Sequence, residues 1–501
     1  MKLSDVFAGL NATLPAREIE VTGLCMDSRE AKPGNIFFAV SGFHTDGSLF
    51  IGEAVVKGCK AVVVQHGQGP SGDEIGGAPI IVVDDIHQAM SLCANNFFSA
   101  PSRRVEVLGI TGTNGKTTTS YFIESIYRAA GIKPGVIGTV NYRCGGEVIA
   151  AAVNTTPPAL KLQECMAMMA GCGCKTVIME VSSHSLAYNR VKDMDFDGAV
   201  FTNFSQDHLD FHKTMENYLA DKTKLFQLLA APSNSKKNRT VVINGDEPSC
   251  ETVLKVLPPD VKVWRFGTGE RNDWRVSDIE VSLGGTDFTI SSPHGSRRIK
   301  LKLWGGYNVF NAVAAMACAC SRGIPFESAV AGVMSLERVP GRMEPVNLGQ
   351  PFHVFVDFAH TERALENVLK ALALFPHKRV FTVFGCGGNR DRTKRGPMAA
   401  VVCSNCSHAY ITLDNPRIEA PEQIFADMER GLKDRSLSNY TIIRDRAAAV
   451  TEALRAAGEG DIVLLAGKGH EIFQLINGQR IPYSDTETAV SALKELQKAA
   501  K

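Results

Sequence analysis

The run Gly109-Ile110-Thr111-Gly112-Thr113-Asn114-Gly115-Lys116-Thr117-Thr118-Thr119 lies between a strand-like stretch, Val105 to Ile110, and an apolar-periodic helix, Tyr121 to Ala130. A strand, a glycine-rich turn and a helix start make a βα unit whose turn cradles an anion, because backbone N–H groups and the positive helix end face it. Gly112, Thr113, Asn114, Gly115, Lys116, Thr117 and Thr118 are therefore the expected nucleotide contacts. Lys116 reaches the outer phosphates in this reading, and the Thr117 hydroxyl holds Mg²⁺. The spacing is unusual: the common phosphate loop has a glycine five residues before the Gly-Lys pair, where Ile110 stands, and the glycines fall at 109, 112 and 115. A glycine-rich βα turn without a ligand is the plain alternative.

At 501 residues the chain is too long for one ordinary core, and about three domains are expected. Repeated short apolar strands between amphipathic helices point to an α/β fold with parallel sheets covered on both faces. Residues 275–302 read as antiparallel, with turns at Gly284-Gly285 and His294-Gly295. Ala100-Pro101-Ser102 and Val339-Pro340-Gly341-Arg342 look like boundaries, which divides the chain into 1–102, 103–342 and 343–501. Lys+Arg number 54 against Asp+Glu 53, so there is no general pull toward nucleic acid or anionic membrane. Met1 to Asp5 shows no basic region followed by an apolar core, and no apolar run approaches the roughly 20 residues that span a bilayer. The thirteen cysteines then read as reduced thiols, and a cytoplasmic location is expected. Cys403 and Cys406 form the one C-x-x-C, with no second pair at zinc spacing, so buried thiols are expected there rather than a metal.

Two further clusters follow strands. Glu180, in Met179-Glu180-Val181-Ser182-Ser183-His184, falls at the carboxyl end of a strand, where open α/β sheets place their ligands, and is expected to hold Mg²⁺. Ser182 or Ser183 also suits a helix cap there. Asp207, His208, Asp210 and His212 cluster within six residues, and His208 is the expected metal ligand. Downstream, Tyr218 to Phe226 reads by itself as an amphipathic helix with solvated lysines.

The joint order of several blocks resembles the Mur ligases, ATP-dependent amide-forming enzymes of peptidoglycan precursor synthesis, and among them the branch that adds the third peptide residue. The blocks are Asp27-Ser28-Arg29, Thr113 to Thr117, Asn154-Thr155-Thr156-Pro157, Glu180 to His184, Asp207-His208-Leu209-Asp210 and Pro340-Gly341-Arg342. They continue with Asp357-Phe358-Ala359-His360-Thr361, Gly387-Gly388-Asn389-Arg390, Asp414-Asn415-Pro416-Arg417 and Gly467-Lys468-Gly469-His470-Glu471. The resemblance implies a three-domain α/β architecture with a central phosphate-loop ATPase domain and a Rossmann-like C-terminal domain. It also implies ATP and Mg²⁺, a monomer, and phosphorylation of the D-Glu γ-carboxylate of UDP-MurNAc-L-Ala-D-Glu to an acyl phosphate that an amine attacks.

Residue by residue, Lys222, with Leu225-Phe226 at the right offset, matches the family lysine that carries a carbamate, an anion that helps hold a second Mg²⁺. Lys116, Lys222 and His208 are the implied catalytic set. Asn308 matches the adenine-side asparagine, and Arg342 and Asp357 match nucleotide contacts. Ser28 matches a uridine-diphosphate contact, and Thr155, Thr156, Ser182 and Arg190 match positions around the muramoyl dipeptide. Asp414, Asn415, Pro416 and Arg417 resemble the version that accepts meso-diaminopimelate, whose distal carboxylate a guanidinium grips with two parallel bonds. Arg390, Gly467 and Glu471 match the remaining amino-acid contacts, with Glu471 toward the distal ammonium. Four departures stand out: Tyr188 for a common glutamine, Phe358 for tyrosine, Glu362 for proline, and Pro482 to Glu487 for a more charged run. A lysine-adding ligase, a folylpolyglutamate-synthase-like ligase and a nucleotide-gated binding protein are the alternatives. Arg417, the segment around Ser28, and the joint presence of Lys116, Thr117, Glu180, His208 and Lys222 argue against them in turn.

Overall fold

Val/Ile/Leu-rich strands that alternate with helices must be buried on both faces, and the computed structural model, which describes residues 1–42, 46–70, 72–282 and 284–499, places them in three main sheets. The first holds Gly23–Cys25, Asn35–Phe38, Ala61–Gln65 and Ala78–Val83 in parallel, with Glu74–Ile75 antiparallel at its edge. Ile51–Val56 and Ile86–Phe97 are helices.

The central sheet has eleven strands. Glu106–Thr111 lies inside it, parallel to Thr176–Glu180 on one side and Gly198–Phe201 on the other. Alternation along each strand feeds two cores: Leu108, Ile110 and Ile178 face one, and Val107, Val177 and Met179 face the other. Antiparallel strands close both ends of this sheet. Trp274–Ser282, Gly285–Ser292 and Gly295–Leu301 do so at one end, as the sequence indicates, and Asn141–Cys144 with Glu147–Ala151 at the other.

The third sheet places His353–Asp357, Val380–Cys386, His408–Leu413 and Ile462–Ala466 in parallel, with Tyr440–Ile442 beside His408–Leu413 and antiparallel Glu344–Pro345 at the far edge. A buried ion pair locks the last helix, Asp485–Ala499, onto this sheet. Arg446 donates to both Asp485 oxygens at 2.8 and 2.7 Å and to the Ala466 carbonyl at 2.8 Å, while the Tyr483 hydroxyl donates to Asp485 at 2.8 Å. The departure at 482–487 thus supplies structural partners. Glu362 is likewise accommodated: it opens the helix Glu362–Ala373 after the Thr361 cap, where a negative side chain suits the helix end. Among the described residues no helix is long and apolar enough to cross a membrane.

Candidate active site

Parallel strands point their carboxyl ends the same way, so the residues after Thr111, Glu180 and Phe201 meet on one edge of the central sheet. Those after Asp357, Cys386, Leu413 and Ala466 meet on one edge of the third. The two edges face each other across a cavity of about 1120 Å³. Its walls include Thr113 to Thr118, Glu180 and His208 on one side and Asp357, Arg390, Asp414, Asn415, Arg417, Gly467 and Glu471 on the other, with Thr155 and Arg342 also exposed to it.

The glycine-rich turn is tightly built. Gly112 has φ +140°, and a Cβ there would stand 2.0 Å from Thr202 Oγ1; Gly115 has φ +86°, and a Cβ there would stand 2.3 Å from Asn311 Oδ1. The Asn203 side chain clamps Asn114, accepting from its N–H at 2.9 Å and donating to its carbonyl at 3.0 Å. Lys116 Nζ donates to the Gly112 and Thr113 carbonyls, both at 2.9 Å. Lys222 Nζ, buried behind the turn, donates to the same Gly112 carbonyl at 2.8 Å and lies 4.4 Å from the Tyr218 ring. Burial, with Lys116 adding repulsion, depresses the Lys222 amine well below the usual lysine range.

The Thr117 hydroxyl donates to Glu180 at 2.9 Å, and Thr139 donates to both Glu180 oxygens, from its N–H at 2.9 Å and its hydroxyl at 2.8 Å. Arg342 reaches Thr117 Oγ1 at 3.3 Å and lies 4.6 Å from the Phe358 ring. Thr117 and Glu180 present hard oxygens side by side, which fits Mg²⁺, an ion that takes one or two protein carboxylates and leaves the rest to phosphate and water. His208, at φ +56°, faces the same cavity with Nε2 3.4 Å from Asp207. Burial drives the His208 imidazole well below its ordinary value, which makes it neutral and able to donate a lone pair. Burial pushes the Asp207 carboxyl up, but its neighbours, Lys394 at 3.2 Å among them, outweigh it and hold Asp207 low.

On the opposite wall Arg417, at φ +57°, is fixed by Nη1 to the Gly388 carbonyl at 2.8 Å. Nη1 also lies 3.4 Å from the Asn415 carbonyl and the backbone N–H donates to the Leu475 carbonyl at 2.8 Å, while Asp414 Oδ2 is buried there without a partner among the described residues. Asn415 accepts from Lys468 at 2.9 Å and donates to Glu471 at 3.0 Å, and Lys468 also pairs with Glu471 at 2.5 Å. Arg390 reaches Asp210 of the facing wall at 3.6 Å.

Several expected contacts sit one layer back. Asn308 is buried, donating to Trp304 at 2.7 Å and accepting from Asn311 at 3.0 Å, while Tyr307, Phe310 and Asn311 line the cavity. The Thr156 hydroxyl donates to the Glu180 carbonyl at 2.8 Å, Ser182 caps Ser183–Ala187, and Arg190 donates to the Thr156 carbonyl at 2.7 Å. Pro416 is buried behind Arg417 in sequence order and does not line the cavity. Ser28, in the first sheet's unit, donates to Glu53 at 2.7 Å. Tyr188 packs between His87 and Phe211 at 5.0 and 5.4 Å. Thr139, Asn203, Asn311 and Lys468 escaped the sequence reading of roles. Lys468 stands inside a quoted block, which is the one signal that marked it.

A phosphate-binding turn on one sheet facing an amino-acid-sized charged wall on another defines a nucleotide-dependent ligase. Family models agree: residues 20–98 match "Mur ligase family, catalytic domain", 110–319 "Mur ligase middle domain" and 341–469 "Mur ligase, glutamate ligase domain". The chain belongs to the Mur ligase family and has its three-domain α/β architecture. It is 41% identical over 476 residues, 95% of each chain, to the UDP-N-acetylmuramoyl-L-alanyl-D-glutamate–2,6-diaminopimelate ligase of Geobacillus thermodenitrificans. A solved structure of a ligase of that same name aligns over 99% of both chains with 32% identity and a TM-score of 0.65. A folylpolyglutamate synthase of Mycobacterium tuberculosis aligns over 80% of this chain and 93% of its own, with 17% identity and a TM-score of 0.61, a likeness of fold.

Proposed function

We propose that the protein joins meso-diaminopimelate to the D-Glu γ-carboxylate of UDP-MurNAc-L-Ala-D-Glu at the expense of ATP, in the cytoplasm, during peptidoglycan precursor synthesis. Residues 1–102 hold the nucleotide sugar, 103–342 the ATP and 343–501 the amino acid in this reading. The observation that carries it is the wall facing the phosphate turn, where the open fork of Arg417 and the orphaned acceptor Asp414 Oδ2 share one cavity with Lys116. A zwitterion with a carboxylate and an ammonium at its far end satisfies both.

A carboxylate is a poor electrophile, and ATP converts it to an acyl phosphate that the incoming amine can attack. Lys116 and the backbone N–H groups at the helix start, Gly115 to Thr118, neutralise the transferring phosphoryl group, an electrostatic task that dominates such reactions. Thr117, Glu180 and His208 would hold Mg²⁺, which supplies charge neutralisation at the phosphates. Burial depresses the Lys222 amine and so favours its neutral form, the form that adds CO₂ to become a carbamate. Arg342 and Asp357 contact the nucleotide in this reading, and Arg417 with Asp414 orients the amine for attack.

The test is phosphate release from ATP with Mg²⁺ and UDP-MurNAc-L-Ala-D-Glu, with meso-diaminopimelate and L-lysine offered separately and product masses read. Release and a tripeptide mass with meso-diaminopimelate alone is expected. Turnover with lysine alone would overturn the reading of Arg417, and silence with both would overturn the ligase reading.

A further inference from the structure

Outside the residues given roles above, one polar chain is completed in the buried interior. His212 Nδ1 lies 2.8 Å from Asp221 Oδ2, and His212 Nε2 lies 2.9 Å from Ser183 Oγ. A carboxylate only accepts, so Nδ1 carries the proton and the Ser183 hydroxyl donates to Nε2. This is the hydrogen-bond pattern of a serine hydrolase. A hydrolase role fails on access: Ser183 is 2% exposed, the His212 side chain is 0% exposed, and neither lines the cavity. What the chain connects is more informative. Ser183 follows Glu180 by three residues and opens the short helix Ser183–Ala187 after the strand Thr176–Glu180. Asp221 immediately precedes Lys222 on the helix Met215–Ala230. His212 ends the short helix that begins after His208, and its N–H donates to the His208 carbonyl at 3.0 Å. The ring is enclosed by Phe211, Tyr218 and His184 at 4.7, 4.9 and 5.4 Å, so it has one orientation.

We infer that His212 is a positioning residue: one buried imidazole, bonded to Ser183 on one side and Asp221 on the other, holds together the three segments that carry Glu180, His208 and Lys222. This rests on the reading of those three residues as the metal-holding set. Each lies on a different segment, and two of the segments begin with loops. Thr117 and Thr139 also hold Glu180, and the Gly112 carbonyl holds Lys222, but the His212 chain adds a direct side-chain tie between the segments. Groups behind metal ligands commonly set affinity by about 10–100-fold when removed, since ligands must be held to within about 0.5 Å.

The experiment titrates Mn²⁺ as a spin probe against the full-length protein with ADP, well below the melting temperature, with no turnover required. Wild type is compared with His212→Phe, His212→Gln, Ser183→Ala and Glu180→Gln, and each variant's melting temperature is recorded. His212→Phe is expected to weaken Mn²⁺ binding about tenfold or more, while His212→Gln, which keeps a donor and an acceptor, recovers part of the loss. A purely structural role lowers the melting temperature and leaves the affinity of the folded protein alone; that result overturns the inference. If His212→Phe does not fold, Ser183→Ala carries the test, and wild-type affinity there overturns it equally. If Glu180→Gln also binds Mn²⁺ as wild type does, the metal-site reading falls first and takes this inference with it.

Discussion

At the scale of single residues, two lysines converge on the Gly112 carbonyl, Lys116 from the cavity side and Lys222 from beneath. Replacing Lys116 with methionine removes the charge that meets the phosphates and keeps the length. A fall in kcat of about 10²-fold or more is expected in the phosphate-release assay. Arg417→Lys keeps the charge and loses the planar fork. Losing a charge-assisted hydrogen bond is worth about 1.5–3 kcal/mol, so kcat/KM for meso-diaminopimelate should fall on the order of 10–150-fold, read by varying the amino acid at fixed ATP. Acid sensitivity also belongs here. Burial lowers His470 to about 3 and His184 to about 4, both below the 6.5 of a free imidazole. The unfolded chain therefore takes up these protons first. Their contribution to stability is complete above about pH 6.5 and drains away as pH falls toward 4. Melting temperature measured from pH 7 to pH 4 should drop, and His184→Asn should flatten the slope. What was legible at this scale came from residues beside a local motif. Lys116, Glu180 and Arg417 each stand next to a turn or strand end that the sequence marks. Asn311 was not legible because it and Asn308 lie three apart on the same face of the helix Gly306–Ser321, and only the packing decides which one meets the cavity.

At the scale of elements, the strand Glu106–Thr111, its turn and the helix Lys116–Ala129 form the unit that the glycine spacing announces. The unusual spacing has a structural reason: Gly112 must pass Thr202 and Gly115 must pass Asn311, both closer than any side chain allows. Gly112→Ala meets a left-handed backbone and a clash together. A loss of more than about 1 kcal/mol in stability and a rise in KM for ATP are expected, checked by thermal melting and by kinetics. Thr139 and Asn203 were invisible beforehand for a topological reason. They follow strands that become neighbours of Glu106–Thr111 and Thr176–Glu180 only through the crossover order of the eleven-stranded sheet. Repeated βα units predict a parallel sheet, but not which strand ends lie side by side.

At the scale of the whole molecule, the third sheet's unit is held over the central one by charged contacts at the cavity rim. Lys394 reaches Asp207 at 3.2 Å, Arg363 reaches Glu247 at 2.8 Å, and Arg390 reaches Asp210. The Lys394–Asp207 pair is the most buried of these, with side chains 15% and 5% exposed. Lys394→Ala leaves Asp207 without that partner and loosens the closed arrangement. Small-angle scattering with ADP should show a larger radius of gyration, and kcat should fall about tenfold or more, since small misplacements of reacting groups are costly. The three-part organisation was legible from strand periodicity and the motif order, whereas the facing of the two sheet edges depends on these long-range pairs, which no local pattern encodes.

The charged wall that carries Arg417, from Gly387 through Glu471, is built on the third sheet's unit, while the glycine-rich turn and Glu180 belong to the central one. On the proposed function, the energy source and the choice of building block are separate heritable modules of one chain. A genetic exchange joining two such chains between Gly341 and His353 would trade the monomer incorporated into a cell wall while leaving the ATP machinery as it was.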